Sequence, residues 1–407
     1  MLARWTLRRL WRSPRHANIE RTRIMSLHQF RGPRHCVQNS LRHRLIPVRD
    51  SLSVRPLFTD SIPSILVPPT IFIGLLLTLW TWKCFWIIVL QDKLLYLSWL
   101  PPLSRSESIA DYAGEFRGVQ WTEKSIRSLD GTKLALCEGR FPTKPASPPR
   151  PNKSVVICYF QGNGGSTPLR LPLLSQVMRT IQESADLSND VEYIVVALSY
   201  RGYWKSSGRA TQRGIELDAQ AFLRWVSETY CTSDTEMQVV LWGHSLGAAV
   251  ASTATVTQLS RTPTTPSSEG TSGKKSLPIA GLILEAPISS IKDMLISLYP
   301  QKWLPYRYLW PFSWNNWDVA AALEQIATHR DKLSGGTGSI PPIFIMSAES
   351  DEVIPLWVAD QLEETAKALE LDVERKNVKG AMHIEGPLKV DGRKALVEFI
   401  MKASACK

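Results

Sequence analysis

The sequence predicts an α/β class: a mostly parallel sheet flanked by helices, preceded by an apolar helix long enough to cross a bilayer. Three observations carry this prediction. Short apolar runs alternate with amphipathic helical patterns from residue 119 onward. A Gly-His-Ser-Leu-Gly stretch, residues 243–247, sits where one such run turns into an Ala-rich helical segment. Between Ile65 and Leu90 a single charge, Lys83, interrupts an otherwise uncharged and largely apolar segment.

The chain has 407 residues and a net charge of +11. Residues 1–62 hold 13 Arg, no Lys and three acids, so they carry +10 of that total. The remaining residues are close to neutral, which argues against a nucleic-acid partner. Four of the seven His also lie in this leader, which has too few apolar runs to build a core and reads as a disordered or targeting segment. Its first 13 residues read either as an amphipathic presequence of mitochondrial type or as a basic arm that only orients a membrane span.

Residues 65–90 read as a transmembrane helix, with Pro68 and Pro69 at its start and Trp80, Trp82 and Trp86 suited to the interface. The upstream Arg excess puts the N-terminus on the cytosolic or matrix side. The following domain then faces the secretory lumen, the exterior or the intermembrane space. Residues 91–114 read as a linker stiffened by Pro101 and Pro102, and residues 115–403 as the folded domain. Six Cys, at 36, 84, 137, 158, 231 and 406, show no paired spacing, so neither a disulfide framework nor a metal knuckle is expected.

Within the domain, a hairpin is expected around Asp130-Gly131. Strands are expected at 155–160, 194–199, 239–241, 281–285 and 343–347, and a strand-like stretch at 371–378. Helices are expected at 169–184, 213–229, 246–259, 318–328, 356–369 and 391–402. Residues 261–278 are low-complexity and read as a mobile loop, and residues 142–154 as a Pro-rich surface loop carrying an Asn152-Lys153-Ser154 sequon. Residues 287–317 break the rhythm and hold seven aromatics between Trp303 and Trp317.

The chemistry starts at Ser245. A strand turning sharply into a helix forces its central residue into strained geometry, and Gly243 and Gly247 make room for the close approach. The hydroxyl is then left at a helix N-terminus, where backbone N–H groups stabilise developing negative charge. A serine needs a base, and only three His follow the apolar helix. His244 is adjacent to the serine and diverges from it; His329 ends a helix; His383 lies in a Gly-bearing loop after a strand, where a parallel sheet presents a base. For the acid, Glu349, Asp351 and Glu352 share the loop after the strand at 342–346. An oxyanion hole takes one N–H from Leu246 and a second from the loop Gln161-Gly162-Asn163-Gly164-Gly165.

The ordered set YFQGNGG, SYRGYWKSSG, GHSLGAA, EAPISS and SDEVIP, behind LQDKLLYLSWLPPLSR, resembles the α/β-hydrolase superfamily. In particular it looks like its single-span members of the monoacylglycerol or lysophosphatidylserine lipase type. The resemblance implies an α/β-hydrolase fold with a triad of Ser245, Asp351 and His383, an oxyanion hole from the Asn163 and Leu246 amides, Gly162 and Gly164 shaping that loop, and a cap at 287–317. It implies cleavage of a lipid ester, with no cofactor and no metal. Thioesters and peptides stay open as substrates, as does a non-catalytic scaffold role. Gln161 stands where that family usually has His, and Ala348 where it often has Gly. An endoplasmic reticulum or other secretory membrane fits the reading, with the mitochondrial inner membrane as the alternative.

Overall fold

A computed structural model describes residues 63–142, 153–184, 191–231, 235–261, 277–333 and 340–405. The Arg-rich leader, Asn152 of the sequon and most of the 261–278 segment therefore lie outside the described residues. The chain separates into two compact units, one ending at Leu77 and one running from Thr78 to Lys407.

The apolar segment is one helix, α1, Val67–Val89, without a single buried residue. With the short turn before it, the helical stretch Ser64–Val89 covers 26 residues. At about 1.5 Å rise per residue this exceeds the roughly 30 Å of a hydrocarbon core. A five-residue helix, α2, Gln91–Leu95, follows directly. Residues 91–114, expected to be a linker, are folded against the domain: Leu95, Tyr96, Ser104 and Tyr112 are all buried.

The domain is an eight-stranded sheet in the order β1-β2-β4-β3-β5-β6-β7-β8. Strands β1 (Gln120–Arg127) and β2 (Lys133–Arg140) form the hairpin read from Asp130-Gly131. β2 runs antiparallel to β4 (Val191–Ser199), and every later pairing is parallel. Those strands are β3 (Lys153–Phe160), β5 (Glu236–His244), β6 (Ile279–Glu285), β7 (Ile343–Ala348) and β8 (Val373–Val378).

Because side chains alternate along a strand, each strand feeds two cores. Val156, Cys158, Leu241 and Leu284 pack with helices α4 (Gln212–Tyr230), α5 (Leu246–Leu259), α7 (Val319–Leu333) and α8 (Leu356–Ala368). Ile157, Tyr159, Trp242 and Phe344 face the other way, against α3 (Thr167–Ser184) and α9 (Val390–Ala405). The near-continuous apolar strands in the sequence reflect this two-sided burial. The 287–317 region contributes one helix, α6 (Ile291–Leu298), and two short 3₁₀ turns.

Register decides where the loops emerge. Phe160 pairs with Gly243, His244 with Glu285, Glu285 with Met346, and Ala348 with Val378. The C-terminal ends of five strands thus line up along one edge, and the loops after β3, β5, β7 and β8 open there together.

Candidate active site

Ser245 links β5 to α5 with φ 55° and ψ −116°, a strained conformation for a residue with a Cβ. Glycines on either side make it sterically possible. A Cβ at Gly243 would land on the Gly247 carbonyl, and one at Gly247 on the Phe160 carbonyl. The turn is held by the Ser245 N–H donating to the Glu285 carbonyl at 2.8 Å. Ser245 is only 7% exposed.

After β7, Asp351 accepts from the backbone N–H of Val353 at 2.8 Å and of Ile354 at 2.7 Å through Oδ1. Its Oδ2 lies 2.8 Å from His383 Nδ1. Two backbone donors on one oxygen leave the other free to hold the His383 ring through Nδ1. Among the described residues, no hydrogen bond joins that ring to the Ser245 hydroxyl. A contact of this kind is often loose in a free enzyme and tightens when substrate arrives.

His244, the residue before the serine, turns away from it as expected. Its ring centroid is 5.0 Å from that of His383, and its Nε2 lies 3.3 Å from the His383 carbonyl. Burial, then the Arg170 charge and His383, hold its imidazole well below the ordinary 6.5. A neutral His244 donates Nε2–H to that carbonyl. His329 contacts Ser260 on the end of α5, remote from this edge.

The loop after β3 passes directly over His244: a Cβ at Gly162 would sit 2.7 Å from His244 Nδ1. Gln161, standing at the position usual for His, accepts from Thr167 Oγ1 at 2.8 Å, while its carbonyl accepts from Tyr200 OH at 2.9 Å. The Asn163 side-chain oxygen accepts from the Leu97 N–H at 2.8 Å.

Several contributors were not visible in the sequence. Arg170 on α3 keeps 14% of its side chain exposed, pairs with Glu285, and donates to Tyr159 OH at 2.8 Å and to the Ile384 carbonyl at 3.2 Å. Glu285 also accepts from Trp242 Nε1 at 2.9 Å. Burial pushes its carboxyl above the ordinary value, although Arg170 and Trp242 pull the other way. This pair joins the strand behind the serine to the residue after His383. Glu349 and Glu352 also act locally. Glu349 accepts from the Gly380 N–H at 2.8 Å and Glu352 from the His383 N–H at 3.1 Å. Nothing in the spacing announces these contacts, because they depend on how two loops from separate strands meet.

A mostly parallel sheet with β2 reversed, a strained serine between β5 and α5, and a carboxylate and imidazole meeting after β7 and β8 are the arrangement of the α/β-hydrolase fold. The chain has this fold, and it is similar to hydrolases of the esterase and lipase type. Protein bem46 of Schizosaccharomyces pombe is 26% identical over 267 residues, covering 65% of this chain and 71% of that one. The lysophosphatidylserine lipase ABHD12 of Danio rerio is 30% identical over 211 residues, covering 52% of this chain and 47% of that one, so the match spans about half of that lipase. Among solved structures, an esterase of Pyrococcus furiosus aligns with a TM-score of 0.47 at 17% identity, over 73% of this chain and 94% of that one. No protein-family profile matches the chain.

Proposed function

We propose that this chain is a membrane-anchored serine hydrolase that cleaves lipid esters such as monoacylglycerols or lysophospholipids, through an acyl-enzyme on Ser245. The observation that carries the assignment is the 2.8 Å contact of Asp351 with His383 at the sheet edge where the strained Ser245 emerges.

In this reading the Ser245 hydroxyl attacks the ester carbonyl carbon while His383 Nε2 takes its proton. Asp351 holds Nδ1–H and stabilises the imidazolium. The N–H groups of Asn163 and Leu246 receive the charge that develops on the carbonyl oxygen, a contribution of about 3 to 4 kcal/mol per donor. His383 returns the proton to the leaving alcohol, then takes one from water, which attacks the acyl-enzyme and releases the fatty acid. In this reading the turn at Ser245 and the loops after β3, β7 and β8 supply every group these steps require.

The lipid substrate follows from proximity. Helix α1 is apolar and unburied, and Trp303, Tyr308, Phe312 and Trp314 in the 287–317 region are exposed. An apolar helix leading into an aromatic-rich surface favours a substrate drawn from the bilayer. The similarity to a lysophosphatidylserine lipase supports the same class. The Arg excess of the leader supports a domain on the side opposite the cytosol or matrix, and a secretory membrane is the location this reading favours.

Membranes carrying the wild type and Ser245→Ala, treated with a fluorophosphonate probe, give the direct test. Labelling is expected in the wild type and absent from the variant. Labelling that persists in the variant would overturn Ser245 as nucleophile, and a folded wild type unlabelled even with detergent and lipid would point to a silent scaffold. Sensitivity to endoglycosidase, lost on Asn152→Gln, would place the domain in the secretory lumen.

A further inference from the structure

The stretch between the apolar helix and the domain is tied to both sides of the site. On one side it holds the 313–317 segment. Tyr96 OH donates to Asn315 Oδ1 at 2.7 Å and accepts from Trp317 Nε1 at 2.8 Å. Gln91 Oε1 accepts from the Trp314 N–H at 3.0 Å, and Asp92 Oδ1 from Trp314 Nε1 at 3.0 Å.

On the other side it grips the loop after β3. The Leu97 N–H donates to Asn163 Oδ1 at 2.8 Å, and the Gly165 N–H donates to the Leu100 carbonyl at 2.7 Å. Gly164, between those two contacts, faces the Leu97 and Leu100 backbone so closely that an added Cβ would touch both. Farther along, Arg105 donates to the Gly202 carbonyl at 2.6 Å and the Ser206 carbonyl at 3.1 Å. The Glu107 carbonyl accepts from Trp204 Nε1 at 2.7 Å.

A loop with glycines at 162, 164 and 165 has many backbone states in isolation, and freezing each residue costs about 1 to 2 kcal/mol. An oxyanion donor is useful only when it is already aimed, since misplacement by about 1 Å can cost a hundredfold in rate. The two hydrogen bonds from Leu97 and Leu100 fall on Asn163 and Gly165, either side of that loop's turn.

We infer that residues 91–107 are a strap that positions the oxyanion loop, so that the stretch leaving the membrane helix is a working part of the active site. This rests on the reading of the Asn163 amide as an oxyanion donor. Leu97 and Arg105 are positioning residues: they act on the loop and touch no substrate.

The test uses the full-length chain in membranes, read by fluorophosphonate labelling rate and by hydrolysis of a monoacylglycerol. Leu97→Pro deletes the N–H that holds Asn163 without altering the loop itself, and Leu97→Ala keeps that N–H. Tyr96, at φ −108° and ψ 88°, lies outside the helical region that a following proline disfavours. Arg105→Ala loosens the far end of the strap. Leu97→Pro is expected to lower the labelling rate and kcat about tenfold to a hundredfold with KM within about twofold. Leu97→Ala should stay near wild type and Arg105→Ala fall several-fold. The thermal midpoint of each variant should move by less than about 3 °C.

Wild-type rates in both Leu97→Pro and Arg105→Ala would overturn the inference. So would equal losses in Leu97→Pro and Leu97→Ala, or losses that only track lowered thermal midpoints. Labelling that survives Ser245→Ala would instead overturn the reading of the site, independently of the strap.

Discussion

The turn at Ser245 and the aromatic stretch at 303–317 are fixed in opposite ways. Ser245 is set by covalent geometry inside a sheet: glycines on both flanks, a backbone bond to Glu285, and helix and strand in contact. The aromatic stretch has only 3₁₀ turns, and Trp303 is 67% exposed and Trp314 55%. Within it Tyr306, Asn315 and Trp317 are buried, and the last two are held by Tyr96. The difference teaches that the reacting groups take their rigidity from the sheet, while the surface beside them takes what order it has from polar contacts with residues 91–96.

The sharpest way to break this comparison is to disable the sheet-borne chemistry alone. Asp351→Asn keeps shape and removes the charge that orients His383. Turnover is expected to fall by about 10⁴-fold with little change in folding. Esterase assays beside far-UV circular dichroism would check this, and near-normal turnover would return Glu349 or Glu352 to candidacy.

Next comes the buried ion pair. Removing Arg170 leaves Glu285 uncompensated at 2% side-chain exposure, and Arg170→Ala is expected to destabilise the domain by about 3 to 5 kcal/mol. Adding Glu285→Gln should recover part of that loss in a denaturant titration. No recovery would mean that the guanidinium acts through Tyr159 and Ile384 instead.

A smaller effect follows from His244. Its folded-state value lies below the ordinary 6.5, so the unfolded chain takes up more protons as acid is added. Stability attributed to neutral His244 is therefore complete above about pH 6.5 and declines as the pH falls, by at most about 1.4 kcal/mol per pH unit. His244→Asn should flatten that part of the profile. Identical slopes in both proteins would show that other groups set the acid limit.

Smallest in folding terms are Trp303→Ala, Trp310→Ala and Trp314→Ala, for which changes within about 0.5 kcal/mol are expected at exposed positions. Hydrolysis of long-chain esters should drop relative to soluble short-chain esters. Equal rates on both would remove the aromatic stretch from lipid access.

Much of the architecture was legible because it rests on period and punctuation. Alternating strand and helix patterns, the Asp130-Gly131 turn and the glycines around Ser245 each have a local physical cause. The structure extends β5 to Glu236–His244 and α7 to Leu333, shifts at element ends where local signals are weakest. Asp351 and His383 were legible as loop residues after strands, and their contact follows once β7 and β8 pair in register. What stayed hidden was non-local. Arg170 looked like one polar residue on a helix, and its pairing with Glu285 needed the sheet to bring them together. Residues 91–107 looked like a tether because proline and short apolar runs carry no helical period, and their order comes from partners 60 and more positions away.

The loops bearing Asp351 and His383 are laced together beyond that one contact. The Ser350 N–H bonds the Ala381 carbonyl at 2.9 Å and the Glu349 N–H bonds the Val378 carbonyl at 3.1 Å, alongside the Glu349 and Glu352 carboxylates on Gly380 and His383. The proposed acid and base are thereby carried on one interlaced pair of loops. Moving either loop relative to the serine turn therefore carries Asp351 and His383 together.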